Sequence, residues 1–108
     1  MRLTVQDAAL RDRLAARMRA QLVDEHRERP FGPHSPELTD VLAFLRRNPA
    51  PDLPRYVVLV DADGFAIGVR PDRRDAEVPP AGPERFATRD DAEHGVFLRR
   101  LADYGLAP

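Results

Sequence analysis

Proline and glycine cut this chain into short pieces, and the cuts limit how long any helix or strand can run. The breaks are grouped: Pro30-Phe-Gly-Pro33, then Asn48-Pro-Ala-Pro51, then an irregular stretch from Pro71 to Pro83. Proline lacks the N–H that a helix or sheet ladder needs, and glycine adopts backbone angles closed to other residues. Between the breaks the apolar residues are clearly periodic, so each segment reads as one element and each gap as an irregular connection. In 108 residues there is room for one core, and a single domain over 1–108 is expected.

From Gln6 to Arg29 an apolar residue recurs every fourth position, at Leu10, Leu14, Met18 and Leu22, with charges elsewhere. This spacing predicts one amphipathic helix with a slanting stripe. After the Pro30–Pro33 break, Ser35 offers a capping hydroxyl, Pro36 fits the first helical position and Glu37 suits the helix dipole. Leu38, Val41, Leu42 and Leu45 then mark an apolar face that ends near Arg47. Tyr56–Val60 is a β-branched run, Asp61-Ala-Asp-Gly64 reads as a turn, and Phe65–Val69 as the returning strand. Residues 84–87 are available as a short third strand. Thr88 caps a last helix, with Asp91 at the capping-box position and Gly105 as its stop. The expected fold class is α+β: an N-terminal helix pair, a small antiparallel sheet (a hairpin with an optional short third strand) and a C-terminal helix. The apolar faces of three helices exceed what so small a sheet can cover, which favours oligomerisation.

The residues argue against an independent active site. Absence of cysteine removes thiolate nucleophiles, disulfides and cysteine-ligated zinc. Ser35 is the only serine and is accounted for as a cap. His26, His34 and His94 include no i, i+4 pair of the kind that holds a metal on a helix. His94 shares a face with Phe97, Leu98 and Leu101 and reads as a core-edge residue with one hydrogen bond. His34 reads as a loop-fixing residue, and His26 as a side chain near a helix end where a cation is favoured. Asp61-Ala-Asp-Gly64 is no calcium loop, because Ala66 and Asp72 stand where an EF-hand needs its glycine and its glutamate. Dispersed glycines give no phosphate loop. Catalytic, cofactor-binding and metal-binding residues are therefore expected to be none. Every one of the 17 basic residues is arginine, but they are interleaved with 18 acidic ones, so no basic stripe for nucleic acid forms. No apolar run is long enough to cross a membrane, and the start lacks a signal-peptide pattern, so a cytoplasmic setting is expected.

Two blocks carry a resemblance. One is Pro30-Phe-Gly with His34-Ser-Pro-Glu-Leu38 and the Val41–Arg46 helix; the other is Arg85-Phe-Ala-Thr88 with His94-Gly-Val-Phe-Leu-Arg-Arg100. Arg55-Tyr-Val57 lies between them at a strand start. In order and spacing these blocks resemble the small subunit of N,N-dimethylformamidase. The resemblance implies an α+β small subunit packed on a large subunit that carries an iron site and hydrolyses the formamide. This chain would then be a non-catalytic accessory subunit whose partner is that large catalytic subunit or a second copy of itself. Phe31, Gly32, His34, Arg99 and Arg100 would be contacts or determinants of the small-subunit fold. A reading from another class is a stand-alone ligand-binding protein or enzyme with a pocket between sheet and helices. His34, His94 and Tyr56 would be its polar groups, and their convergence in one cleft would be its signature.

Overall fold

The Gln6–Arg29 pattern folds as two helices rather than one. The computed structural model describes residues 1–108, and in it α1 spans Val5–Arg17 and α2 spans Ala20–Glu28. Met18 (φ −67°, ψ 137°) and Arg19 (φ −154°, ψ 160°) are extended between them. The reason lies in the spacing: with 3.6 residues per turn, a four-residue repeat rotates by about 40° per step. A straight helix would carry part of the stripe away from the core. The extended step resets the phase, and Leu14 and Leu22 are then buried in the same cluster. The expected N-terminal helix pair is thus three helices, the third being α3, Pro36–Arg46.

Helix α3 starts as its sequence predicts, with the Ser35 hydroxyl accepting from the Leu38 N–H and proline at the first position. The cap also ties α3 to α2. The Ser35 N–H donates to one Glu25 carboxylate oxygen at 2.6 Å and the Ser35 hydroxyl to the other at 2.7 Å. These two bonds hold the Glu25 carboxyl below the usual carboxylate range, the backbone donor contributing most. Leu38, Val41, Leu42, Phe44 and Leu45 face one core with Leu14, Leu22, Phe97, Leu101 and Tyr104. The helices therefore cover one another, and the surplus apolar face expected from the sequence is largely consumed inside the monomer.

Strands β1 (Tyr56–Asp61) and β2 (Gly64–Val69) pair antiparallel, with Tyr56 opposite Val69 and Asp61 opposite Gly64. The optional third strand shrinks to single bridges, Phe65 with Phe86 and Gly68 with Pro80, along the outer edge of β2. Pro80 and Pro83 have no N–H to donate, so a ladder cannot propagate there. Helix α4 (Arg89–Asp103) begins at Thr88, whose hydroxyl accepts from the Asp91 N–H, and Gly105 (φ 67°) lies just past its end. It crosses the sheet at Gly95, where a Cβ would lie 2.9 Å from the Phe86 ring and 3.0 Å from Ile67. Only glycine allows that approach without displacing both neighbours.

Glu25→Gln keeps the shape of the α2–α3 clamp but sets an amide N–H₂ against one of the Ser35 donors. We expect a loss of about 1–2 kcal/mol, read as a lower urea midpoint with unchanged slope. Glu28→Gln, at an exposed position nearby, should leave the midpoint in place.

Candidate functional site

The end of α2 and the first turns of α4 converge on a histidine pair. His26 and His94 are 4% and 7% exposed, and their Nδ1 atoms lie 2.9 Å apart. The Phe97 ring stacks on His26 with centroids 4.0 Å apart, and the His34 ring lies nearly parallel to His26 at 6.1 Å. One proton bridges the two Nδ1 atoms, and the network assigns it. His94 Nε2 is buried without a partner. If His26 were the donor, that nitrogen would carry a buried N–H with no acceptor, which native structures avoid more strongly than a bare lone pair. His94 Nδ1–H therefore donates to His26 Nδ1, and both rings are neutral.

Burial drives the His26 pKa down to about 4, helped by the neighbouring His94 and His34 and by Arg46 on α3, with Glu25 opposing. His94 is lowered too, first by burial and then by Arg27, against Asp91 and Asp24. This corrects the sequence expectation of a favoured His26 cation at a helix end. The signal was present in the chain: His26 continues the four-residue stripe of Leu14, Met18 and Leu22 and so turns inward with it. His94 has its single hydrogen bond as expected, whereas Leu98, placed on the same face, is 40% exposed.

The remaining sequence candidates fall into two groups. Phe31 and Gly32 lie on the loop before α3, where Gly32 takes φ 86° and His34 Nε2 bonds the Arg29 carbonyl at 2.8 Å. Phe31 is 56% exposed, with the Arg89 guanidinium 5.1 Å from its ring centre. Tyr56, Arg99 and Arg100 lie instead along β1 and the later turns of α4. The Tyr56 hydroxyl donates to Asp103 at 2.6 Å, and burial followed by this carboxylate pushes its pKa up to about 12. Arg99 sits 5.8 Å over the Tyr56 ring and 3.7 Å from Glu84. Burial lowers the Arg100 pKa, with Glu93 opposing. An open groove of about 500 Å³ runs between β1 and α4, lined by Tyr56, Val58, Val60, Phe65, Val96 and Arg100 among others. It contains neither His34 nor His94. The three polar groups that a sheet–helix pocket would need do not converge: each is bonded to a different internal partner. Nor do three or more His, Asp or Glu side chains gather as a set for a metal ion.

The profile of the N,N-dimethylformamidase alpha subunit matches residues 1–107. The chain belongs to that family. N,N-dimethylformamidase alpha subunits from an Alcaligenes species and from Paracoccus aminophilus are 35% and 29% identical to it over 86 residues. These alignments take in 77% of this chain and 64% and 60% of the two relatives, so the match spans less than two thirds of their length. The resemblance read from the Pro30–Arg46 and Arg85–Arg100 blocks is thereby shown, and with it the α+β fold class. In this family member the two blocks meet in space, since the histidine pair joins the α2 end beside the first block to the helix of the second.

The neutral pair gives stability a definite pH window. A histidine whose folded pKa lies below its ordinary 6.5 binds fewer protons folded than unfolded, so stability is full above pH 6.5 and falls as the pH drops towards 4. On the order of 2–3 kcal/mol should be lost across that window. Urea titrations at stepped pH should show the decline setting in above the carboxylate range, and a His26→Gln/His94→Gln protein should be flat there.

Proposed function

We propose that this chain is a non-catalytic accessory subunit of a dimethylformamidase-type amide hydrolase, acting by contact with a larger catalytic chain. Its membership in the alpha subunit family over residues 1–107 carries the reading. The local chemistry supports it. Nucleophilic catalysis needs a hydroxyl or thiol beside a free base, and general acid–base catalysis needs a titrating group open to substrate. Here the only serine spends its hydroxyl on Glu25 and the α3 cap, and two of the three histidines are withdrawn into the core. His34 is held by the Arg29 carbonyl.

What remains available is contact surface. Phe31 with Arg89 over its ring forms an exposed aromatic–guanidinium platform, next to Gly32 and His34. Aromatic and arginine side chains dominate binding energy at protein interfaces because they bury large area with little loss of freedom. Arg99 and Arg100 would contribute a second contact region along α4. In this reading the histidine pair is structural: it fixes the angle between α2 and α4 and so aims the platform.

The test is co-expression of the tagged chain with the large catalytic chain of a dimethylformamidase. Recovery at a fixed ratio is expected, with Phe31→Ala weakening capture about tenfold or more while the thermal midpoint of the free chain stays unchanged. Hydrolysis of a formamide by the purified chain alone would overturn the reading.

A further inference from the structure

The β1 strand has one bonded edge and one bare edge. Arg70 N–H donates to the Arg55 carbonyl, which makes Arg55–Arg70 a hydrogen-bonded pair of the hairpin. Pairing alternates along an antiparallel ladder, so Val57, Leu59 and Asp61 also direct their backbone groups to β2. Tyr56, Val58 and Val60 direct theirs the other way, and none of those groups finds a partner outside the hairpin. Part of the far edge of β2 is covered, the Phe65 N–H and carbonyl by Phe86 and the Ile67 carbonyl by the Ala81 N–H.

Natural sheets protect a bare edge with proline, lysine, a bulge or an inward charge. Tyr56–Val60 has none of these, and Val60 is 73% exposed. The sequence of the edge is also self-complementary. When a second copy runs antiparallel with Val58 on the two-fold axis, Tyr56 faces Val60 and Val58 faces Val58. These are the residues with outward backbone groups. In the same register Arg55 faces Asp61, at both ends of the strand and on the same side of the sheet. Shifting by two residues keeps the backbone parity but sets Arg55 against Leu59, or against Asp63, which lies in the turn beyond the end of β1.

We propose that β1 pairs with β1 of a second copy of this chain in that register, making one continuous four-stranded sheet across a two-fold axis. The bare edge is independent of the proposed contact with a catalytic chain. An isologous strand pair closes on itself, so the assembly stops at two copies.

Light scattering on the full chain should give twice its 12.2 kDa mass, with dissociation on dilution. Val60→Lys, at an exposed position, should give a monomer with unchanged circular dichroism. Arg55→Asp alone, which sets an introduced aspartate against Asp61 at each end of the strand pair, should also shift the protein to monomer. Mixing that variant with Asp61→Arg should restore a dimer containing one of each, because each end of the mixed pair sets an aspartate against an arginine; the decisive single protein is the double Arg55→Asp/Asp61→Arg chain. That chain reverses both end pairs while keeping them opposite in charge, and it should recover the dimer that Arg55→Asp loses. A wild-type chain that stays monomeric, a dimer indifferent to Val60→Lys, or a double variant that stays monomeric with native circular dichroism would each overturn the proposal.

Discussion

Helix α4 must bury two faces at once, and the fold is organised around that demand. A two-stranded hairpin cannot hold itself together in water, and three short N-terminal helices leave their inner faces open unless something closes them. Residues 89–103 do both. Gly95 meets Ile67 of the sheet and Phe86 beside it, and Val96 lines the groove with β1, while His94, Phe97 and Leu101 meet the helices. The two duties compete for the same turns of helix. Glycine at 95 brings the sheet close on one side, and neighbouring His94 must then face the helical layer, where it meets His26. A polar pair inside the core is the consequence, and it is tolerable because each ring donates or accepts one bond and neither is charged.

Most of the architecture was legible because local signals and packing agree. The Ser35 and Thr88 caps, the Asp61–Gly64 turn and the Gly105 stop each need only their neighbours, and each stands where the sequence puts it. The break at Met18–Arg19 was not legible. It has neither proline nor glycine, and it answers a tertiary need to return Leu14 and Leu22 to one core. The optional third strand is reduced for the opposite reason: Glu84–Ala87 looked extended, but its pairing with β2 is a single bridge at Phe86, separated from the one at Pro80 by Pro83, which has no N–H to donate.

The candidate site shows why single residues mislead where stripes do not. His26 read alone looked like a helix-end cation. Read as the next step after Leu22 it belongs inside, where burial opposes its charge. His34, His94 and Tyr56 looked like a polar set because each is a chemically capable side chain. In the fold none of them bonds another, and each takes a different partner. The resemblance to the small subunit was visible for another reason, since it lay in the order and spacing of blocks and not in any one reactive group.

The same helix that closes the monomer also bears on the bare β1 edge. Its end lies at Tyr56, through the Asp103 hydrogen bond, and its start lies by Val60 and Phe65, where Arg89 borders the groove. So α4 runs opposite to β1 on one face of the sheet. Pairing Tyr56 with Val60 across a two-fold axis would bring the start of one α4 level with the end of the other. Antiparallel neighbouring helices oppose their dipoles favourably, positive end to negative end. The groove between β1 and α4 would then face its own copy, with Val58 and Val60 of both chains forming its floor. Strand hydrogen bonds, end charges and helix direction thus favour one arrangement, although each arises from a different part of the sequence.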